Sequence, residues 1–181
     1  AVGFNALTAN TTGTQQVAVG NKCLESTTTG NQNTAVGSNA LQVNTTGAQS
    51  VAVGCEALTA NTTASSNTAV GYRSLYVNTT GSNLVAVGDR ALTSNTTGTS
   101  NTGVGVQAGS NTTTGGSNTS VGMQALLFNT TASNNTAVGK DCMRTNTTGA
   151  ENTALGMSAL YGNTTGDYNT AVGRNALNSN T

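Results

Sequence analysis

The amino-acid sequence predicts an all-β chain, a parallel β-solenoid in which each repeat forms one coil. The first observation is a strict period: the glycine of an A-V-G triplet recurs every 17 residues from Gly3 to Gly173, without insertion or deletion. The second is composition, because Thr, Asn and Gly supply 36, 25 and 23 of the 181 residues. Together with Val, these residues form helices poorly and suit short strands joined by Gly and Asn corners. One such unit cannot bury its own apolar side chains, so we expect successive units to stack.

The repeat reads A-V-G-x-x-A-L-x-x-N-T-T-G-x-x-N-T, and we number its positions as slots 1 to 17 from the first Ala. Ten copies and eleven further residues fill the chain, which predicts about 11 coils in a single repeat array over residues 1–181. At ~4.8 Å per coil the rod would be roughly 50 Å long. A sequence that begins and ends inside a repeat is expected to be a segment of a longer fibre.

Alternation along strands predicts which slots face the interior. The Val of slot 2 and the Leu of slot 7 are expected to fill the coil. Their neighbours, the Ala residues of slots 1 and 6, would then point outward, because adjacent strand residues face opposite sides. Stacked Ala columns would form long apolar strips, and such strips predict that the rod associates with copies of itself. If slots 1 and 6 lie at corners instead, the chain would be a lone or end-to-end filament.

The polar frame of the repeat predicts corners and ladders. Gly in slots 3 and 13 is expected at corners with positive φ, which glycine adopts readily. Asn in slots 10 and 16 is expected to stack into ladders whose amides bond along the rod axis. The Thr columns of slots 11 and 12 would stack in the same way, with one side chain inward and the other outward. The stretch from Gly103 to Gly116 departs most from the repeat and is a candidate weak point or bend.

Composition and charge argue against several functional classes. The chain has no His, which excludes the usual Ser/His/Asp, Cys/His and His-metal chemistries, and we expect no enzyme and no cofactor. Six basic and six acidic residues leave no basic stripe, so nucleic acid is not an expected partner. No apolar run approaches the ~18 residues of a membrane span.

The three cysteines occupy positions that suit packing rather than chemistry. Cys23 and Cys142 share slot 6, which is otherwise Ala or Ser, and Cys55 is in slot 4. Even Cys23 and Cys55 lie two coils apart, on the order of 10 Å, which exceeds the ~7 Å Cα limit of a disulfide. We expect small buried fillers in slot 6 and no metal site.

The repeat also generates N-x-[ST] glycosylation sequons. Two interpretations stay open: Asn and Thr serve to turn and stack the chain, or the rod is a glycan-coated filament. The candidate glycan acceptors are Asn10, Asn44, Asn61, Asn78, Asn95, Asn111, Asn118, Asn129, Asn134, Asn146 and Asn163.

Short runs around the A-V-G triplet resemble a known family. The segments S-V-A-V-G (50–54), Q-V-A-V-G (16–20) and L-V-A-V-G (84–88) are similar to the head repeats of YadA-like trimeric autotransporter adhesins. Similar N-T-A-V-G-x-x-A-L repeats occur in bacteriophage tail fibres and bacterial surface proteins. The resemblance implies a left-handed β-roll, three chains packed side by side, and an extracellular location on a virion or cell surface.

The function expected from these features is a non-catalytic structural or adhesive fibre. Slots 4, 5, 8, 9, 14 and 15 vary and carry all twelve charges, so they would make any receptor contact, with cell-surface glycan as the candidate partner. The candidate aromatic residues for sugar stacking are Tyr72, Tyr76, Tyr161 and Tyr168.

An ice-binding protein is the alternative. The usual ice-binding device is T-x-T, with both Thr side chains on one face. The Thr residues of slots 11 and 12 are adjacent and would face opposite ways, which counts against this alternative.

Overall fold

The computed structural model describes residues 1–180, and these residues contain no helix and ten parallel β-strands. Each strand has three residues and comprises slots 17, 1 and 2 of the repeat. The strands are β1 (Val17–Val19), β2 (Thr34–Val36), β3 (Val51–Val53), β4 (Thr68–Val70), β5 (Val85–Val87), β6 (Thr102–Val104), β7 (Thr119–Val121), β8 (Thr136–Val138), β9 (Thr153–Leu155) and β10 (Thr170–Val172).

The strands form one ten-stranded sheet in chain order, and the register confirms the predicted solenoid. Each residue pairs with the residue of the same slot in the next coil, as Ala52 does with Ala69. An isolated parallel bridge joins Val2 to Val19 and extends the parallel pairing to the coil that precedes β1. One 17-residue repeat is therefore one coil, and the coil count is close to the predicted 11.

The interior of the coil differs from the prediction in slots 1 and 2. Slot 1 points inward, and Ala35, Ala52 and Ala69 are completely buried. Slot 2 points outward instead, so that Val53 keeps 36% of its surface exposed. The prediction that Val fills the coil and that slot 1 presents an outward strip of Ala was wrong. The interior opposite slot 1 is already occupied by the slot 7 Leu side chains, which leaves room only for small residues.

The Ala of slot 6 was also predicted outward, and it too is buried. Ala40 and Leu41, in slots 6 and 7, are neighbours and both are fully buried. Two adjacent side chains share a face here because slots 4 to 9 form a turn, in which Leu41 adopts the left-handed conformation with φ of 51°. Strand alternation does not apply to such a turn.

Glycine is required in slot 3 and plays another role in slot 13. Gly54 has φ of 137°, and a Cβ on it would lie 2.5 Å from the carbonyl oxygen of Gly71 in the next coil. The predicted positive φ is thus confirmed at slot 3. It was wrong at slot 13, because no slot 13 residue, from Gly13 to Gly166, has positive φ; there the small side chain allows close stacking between coils.

The two predicted Asn ladders are present and buried. In slot 10, Asn78 Nδ2 donates to Asn61 Oδ1 of the preceding coil at 3.2 Å and to the Gly81 carbonyl at 2.9 Å. In slot 16, the Asn101 side chain accepts a hydrogen bond from the backbone N–H of Asn118 in the next coil at 2.9 Å. The bonds between coils run along the rod axis, the bond to Gly81 lies within one coil, and together they satisfy polar groups that would otherwise be costly to bury.

The apolar core is interrupted in the coil predicted to be weak. One cluster of buried side chains extends from Ala18 to Leu92, and a second extends from Ala125 to Ala171. Between them, Gly109 replaces the slot 7 Leu, while the hydrogen-bonded register of β6 and β7 continues without a break. The backbone ladder therefore crosses a gap in the apolar core.

Candidate functional site

The outward side chains of the ten strands form a regular surface that we call the Thr/Val face. It consists of slots 17 and 2 of every coil from β1 to β10, that is, 20 side chains. Slot 2 is Val except for Leu155, and slot 17 is Thr in seven coils and Val in three. The side chains are partly exposed, for example 40% at Val19 and 37% at Val85.

The Thr hydroxyls of this face have no hydrogen-bond partner among residues 1–180. The seven side chains are Thr34, Thr68, Thr102, Thr119, Thr136, Thr153 and Thr170. The slot 11 Thr side chains from Thr11 to Thr147 behave differently, because each donates along the axis, as Thr45 Oγ1 does to the Thr62 carbonyl at 3.0 Å. The hydroxyls of the Thr/Val face are therefore left for solvent or a ligand.

Sequence analysis missed this face because it assigned slot 2 to the interior. One signal could have revealed it. Slot 1 holds only small residues, with Gly103 and Ser120 as the exceptions to Ala in the described strands. A column restricted to small residues indicates a tightly packed interior, and alternation then turns slots 17 and 2 outward.

A second surface combines arginine and tyrosine side chains from slots 4, 5 and 8; we call it the Tyr–Arg patch. The guanidinium carbon of Arg73 lies 5.1 Å from the ring centroids of both Tyr72 and Tyr76. Arg90, one coil further, lies 5.4 Å from the Tyr72 ring. Arg73 also pairs with the Glu56 carboxylate, which raises the pKa of the guanidinium. These contacts hold the Arg73 side chain between two rings.

A similar arrangement recurs around Arg144, four coils beyond Arg73. Arg144 lies 5.4 Å from the Phe128 ring centroid and 5.9 Å from that of Tyr161. Its Nη1 donates to the Tyr161 hydroxyl at 2.9 Å, and its Nε lies 3.5 Å from the Asp141 carboxylate. The structure thus groups three of the four predicted tyrosines with arginine, whereas Tyr168 is 76% exposed in slot 15.

The predicted contact slots differ in how far they reach solvent. Every slot 15 residue from Gln15 to Tyr168 is exposed, and so is every described slot 4 residue except Asp89. Slots 5, 8, 9 and 14 are mostly half-buried, and slot 8 includes the buried residues Ser110 and Leu127. The charged residues nevertheless lie on this variable side, and none of the twelve belongs to the Thr/Val face.

Most of the candidate glycan acceptors are buried in the Asn ladders. The seven from Asn44 to Asn163 in slot 10, and Asn118 in slot 16, are at most 3% exposed. A buried amide that is hydrogen-bonded on both sides does not reach a glycosyltransferase in the folded rod. Glycosylation of the folded rod stays a prediction for Asn134, which is exposed, and for Asn10 and Asn111, which are half-buried.

The cysteines agree with the packing interpretation. Cys23 and Cys142 are fully buried and Cys55 is exposed, and all three are free thiols. Burial raises the pKa of the Cys142 thiol to about 11 and also raises that of Cys23. Within residues 1–180, no three His, Cys, Asp or Glu side chains come together as metal ligands.

Comparison with family models, curated proteins and solved structures finds no match to this chain. Over the same described residues there is no helix of the length and apolarity that crossing a membrane requires. The fold and its surfaces define the molecule as a parallel β-solenoid repeat protein.

Proposed function

We propose that this chain is a non-catalytic structural segment of an extracellular fibre, which carries or forms an adhesive surface on a bacteriophage tail or a bacterial cell. The observation that carries the proposal is the unbroken axial register, in which ten strands pair in chain order. A rod built in this way lengthens by one coil per repeat without changing its cross-section. The extracellular setting is supported by the resemblance to adhesin and tail-fibre repeats.

The buried polar ladders favour a rigid spacer over a flexible linker. Asn146 Nδ2, for example, donates to Asn129 Oδ1 at 3.3 Å and to the Gly149 carbonyl at 2.8 Å. The bond to Asn129 ties one coil to its neighbour, and this buried amide oxygen would lose its donor if the coils slid apart. The interior therefore holds one register, and the rod keeps its outer columns aligned.

We assign the adhesive role to the Tyr–Arg patch, with cell-surface glycan as its ligand. Aromatic rings beside charged planar groups suit a sugar, which offers both apolar C–H faces and hydroxyls. Arg90 is suited to contact a ligand because its side chain is 44% exposed and, among residues 1–180, it forms an ion pair with Asp89 alone, at 3.4 Å.

Self-association as a homotrimer stays a prediction that rests on the resemblance. The Ala strips from which it was also inferred lie inside the coil, as Ala40 and Ala52 do.

The structural part of the proposal is tested by measuring how rod length depends on the number of repeats. Arrays with two and three times the present number of repeats would be imaged by electron microscopy. We expect rods whose contour length increases by ~4.8 Å per repeat. Compact particles that do not lengthen linearly would contradict the spacer role.

The adhesive part is tested separately with an immobilised panel of neutral and acidic glycans. We expect binding by the unmodified chain and loss of binding in the variant Tyr72→Ser/Arg73→Asn/Tyr76→Thr, which introduces residues that occupy the same slots in other coils. The matched control Tyr168→Ser removes an exposed tyrosine outside the patch and should bind normally. A chain that binds no glycan, or a patch variant that binds as well as the control, would contradict the adhesive role.

A further inference from the structure

We propose that the Thr/Val face is an ice-binding surface. This inference goes beyond the fibre function and does not depend on the Tyr–Arg patch. It rests on the regularity of the face, on its lack of charge and on the unpaired Thr hydroxyls.

The Thr/Val face is regular in two directions. Along the rod, the parallel register repeats each side chain at the strand spacing of ~4.8 Å. Across the rod, slots 17 and 2 are two residues apart in a strand, or ~6.6 Å. The run from Thr102 to Val172 supplies five consecutive strands, β6 to β10, in which slot 17 is Thr and slot 2 is Val or Leu. The surface of a crystal of water is also regular in two dimensions, so ice is a ligand of the same kind of order.

The chemistry of the face suits water held at an apolar surface. Slot 2 offers half-exposed aliphatic groups, of which Leu155 is 48% exposed, and slot 17 offers hydroxyls that have no partner in the described part of the chain. A hydroxyl can both donate to and accept from water, and the neighbouring methyl groups order the water that they contact. Charged side chains would disrupt such an array, and the face contains none.

The sequence-based argument against ice binding does not apply to this face. That argument concerned slots 11 and 12, whose Thr residues are adjacent. Slots 17 and 2 are separated by one buried residue, as Thr136 and Val138 are by Ala137, so both side chains point the same way. The strand thus produces a T-x-V arrangement in which the inward residue is small.

A second copy of the chain is the competing occupant of the Thr/Val face. A dry interface between two rods would remove water from the seven slot 17 hydroxyls, and an unpaired buried hydroxyl is unfavourable. An ice surface keeps every hydroxyl in contact with water. The unpaired hydroxyls therefore favour ice over a second rod.

The test compares two Thr→Tyr variants from the same coil. Thr136→Tyr adds bulk to the middle of the run from Thr102 to Val172 on the Thr/Val face, whereas Thr131→Tyr adds the same group to the exposed slot 12 column. Thermal hysteresis and adsorption of the fluorescently labelled chain to a growing ice crystal would be measured, and circular dichroism would verify that each variant is folded. We expect the unmodified chain and Thr131→Tyr to shape ice and adsorb to it, and Thr136→Tyr to lose both activities.

Two results would overturn the proposal. The first is a folded, unmodified chain that neither adsorbs to ice nor produces hysteresis. The second is an oligomer, measured by light scattering, that Thr136→Tyr dissociates and Thr131→Tyr leaves intact, because the face would then belong to a second copy.

Discussion

Ala52 and Val53 are neighbours in strand β3 and lie on opposite sides of the coil wall, with 0% and 36% of their surfaces exposed. The relationship repeats along the rod, where the smaller residue of the pair is always the inward one in the ten strands. It determines both the volume of the interior and the composition of the outer face.

Replacing Ala52 or Val53 by Leu should have very different effects on the free energy of unfolding. Ala52→Leu forces bulk into a filled interior, and we expect the free energy of unfolding to fall by about 1–3 kcal/mol. Val53→Leu adds bulk to the outer face, as Leu155 does naturally, and should change stability by no more than about 0.5 kcal/mol. Urea denaturation measures both values, and equal effects would show that the assignment of inside and outside is wrong.

Removing one member of the Asn ladder should destabilise the rod more than its small volume suggests. Asn78→Ala removes the donor to the buried Asn61 Oδ1 and one of the two acceptors of the Asn95 amide, and we expect a loss of about 1–3 kcal/mol. Asn78→Thr should lose less, because Thr112 in the same slot accepts a bond from Asn129 at 3.4 Å.

The exposed Thr80 provides the control for the Asn ladder. Thr80→Ala should change the free energy of unfolding by less than about 0.5 kcal/mol. Chemical denaturation of the three variants and the unmodified chain gives the comparison. A cost for Asn78→Ala as small as that of Thr80→Ala would contradict a stabilising ladder.

The sequence was sufficient to predict the coil, its register and its polar ladders, because each follows from the exact recurrence of Gly, Asn and Thr. It was not sufficient to decide which of two adjacent residues points inward. Alternation gives two equivalent solutions for slots 1 and 2, and only packing against the slot 7 Leu selects one. The turn at Leu41 was beyond sequence reasoning, since a bulky residue seldom adopts positive φ. The Thr/Val face was missed because alternation alone does not decide whether slot 1 or slot 2 points inward. The exposed slots 4 and 15 were predicted correctly from their charges and variability.

The buried thiol of Cys142 should make stability depend on alkaline pH. Burial raises the pKa of this thiol from 9.0 to about 11, so the folded state holds the proton more tightly than the unfolded state. The contribution to stability is therefore complete below pH 9 and is lost as the pH rises towards 11.

Cys142→Ala, which restores the usual slot 6 residue, should show a smaller loss of stability over this interval than the unmodified chain. Denaturation midpoints at about pH 8, 9.5 and 11, which run from below the ordinary pKa of 9.0 up to the shifted value of about 11, measure the difference. Parallel pH profiles for the two proteins would contradict the assignment.

The coil that contains Gly109 should open more readily than its neighbours. Its interior lacks a slot 7 side chain, and a Cβ at Gly109 would lie 2.7 Å from Leu92 Cδ2, so the Leu side chain of the preceding coil partly fills the gap. Because local stability follows buried apolar contacts, we expect amide hydrogen exchange to be faster in residues 103–119 than in residues 52–68. Uniform protection along the rod would show that the backbone ladder alone determines stability.

The claim on which all of these inferences depend is that one 17-residue repeat is one coil. Engineered disulfides test it in a chain whose own cysteines are replaced (Cys23→Ala, Cys55→Ser, Cys142→Ala). Thr63→Cys and Thr80→Cys would lie in adjacent coils, ~4.8 Å apart, within the Cα range of a disulfide. Thr63→Cys and Thr97→Cys would lie two coils apart, at ~9.6 Å, which exceeds that range. We expect mass spectrometry after oxidation to find an intramolecular disulfide in the first pair and none in the second; equal cross-linking of both pairs, or of the second alone, would contradict the solenoid.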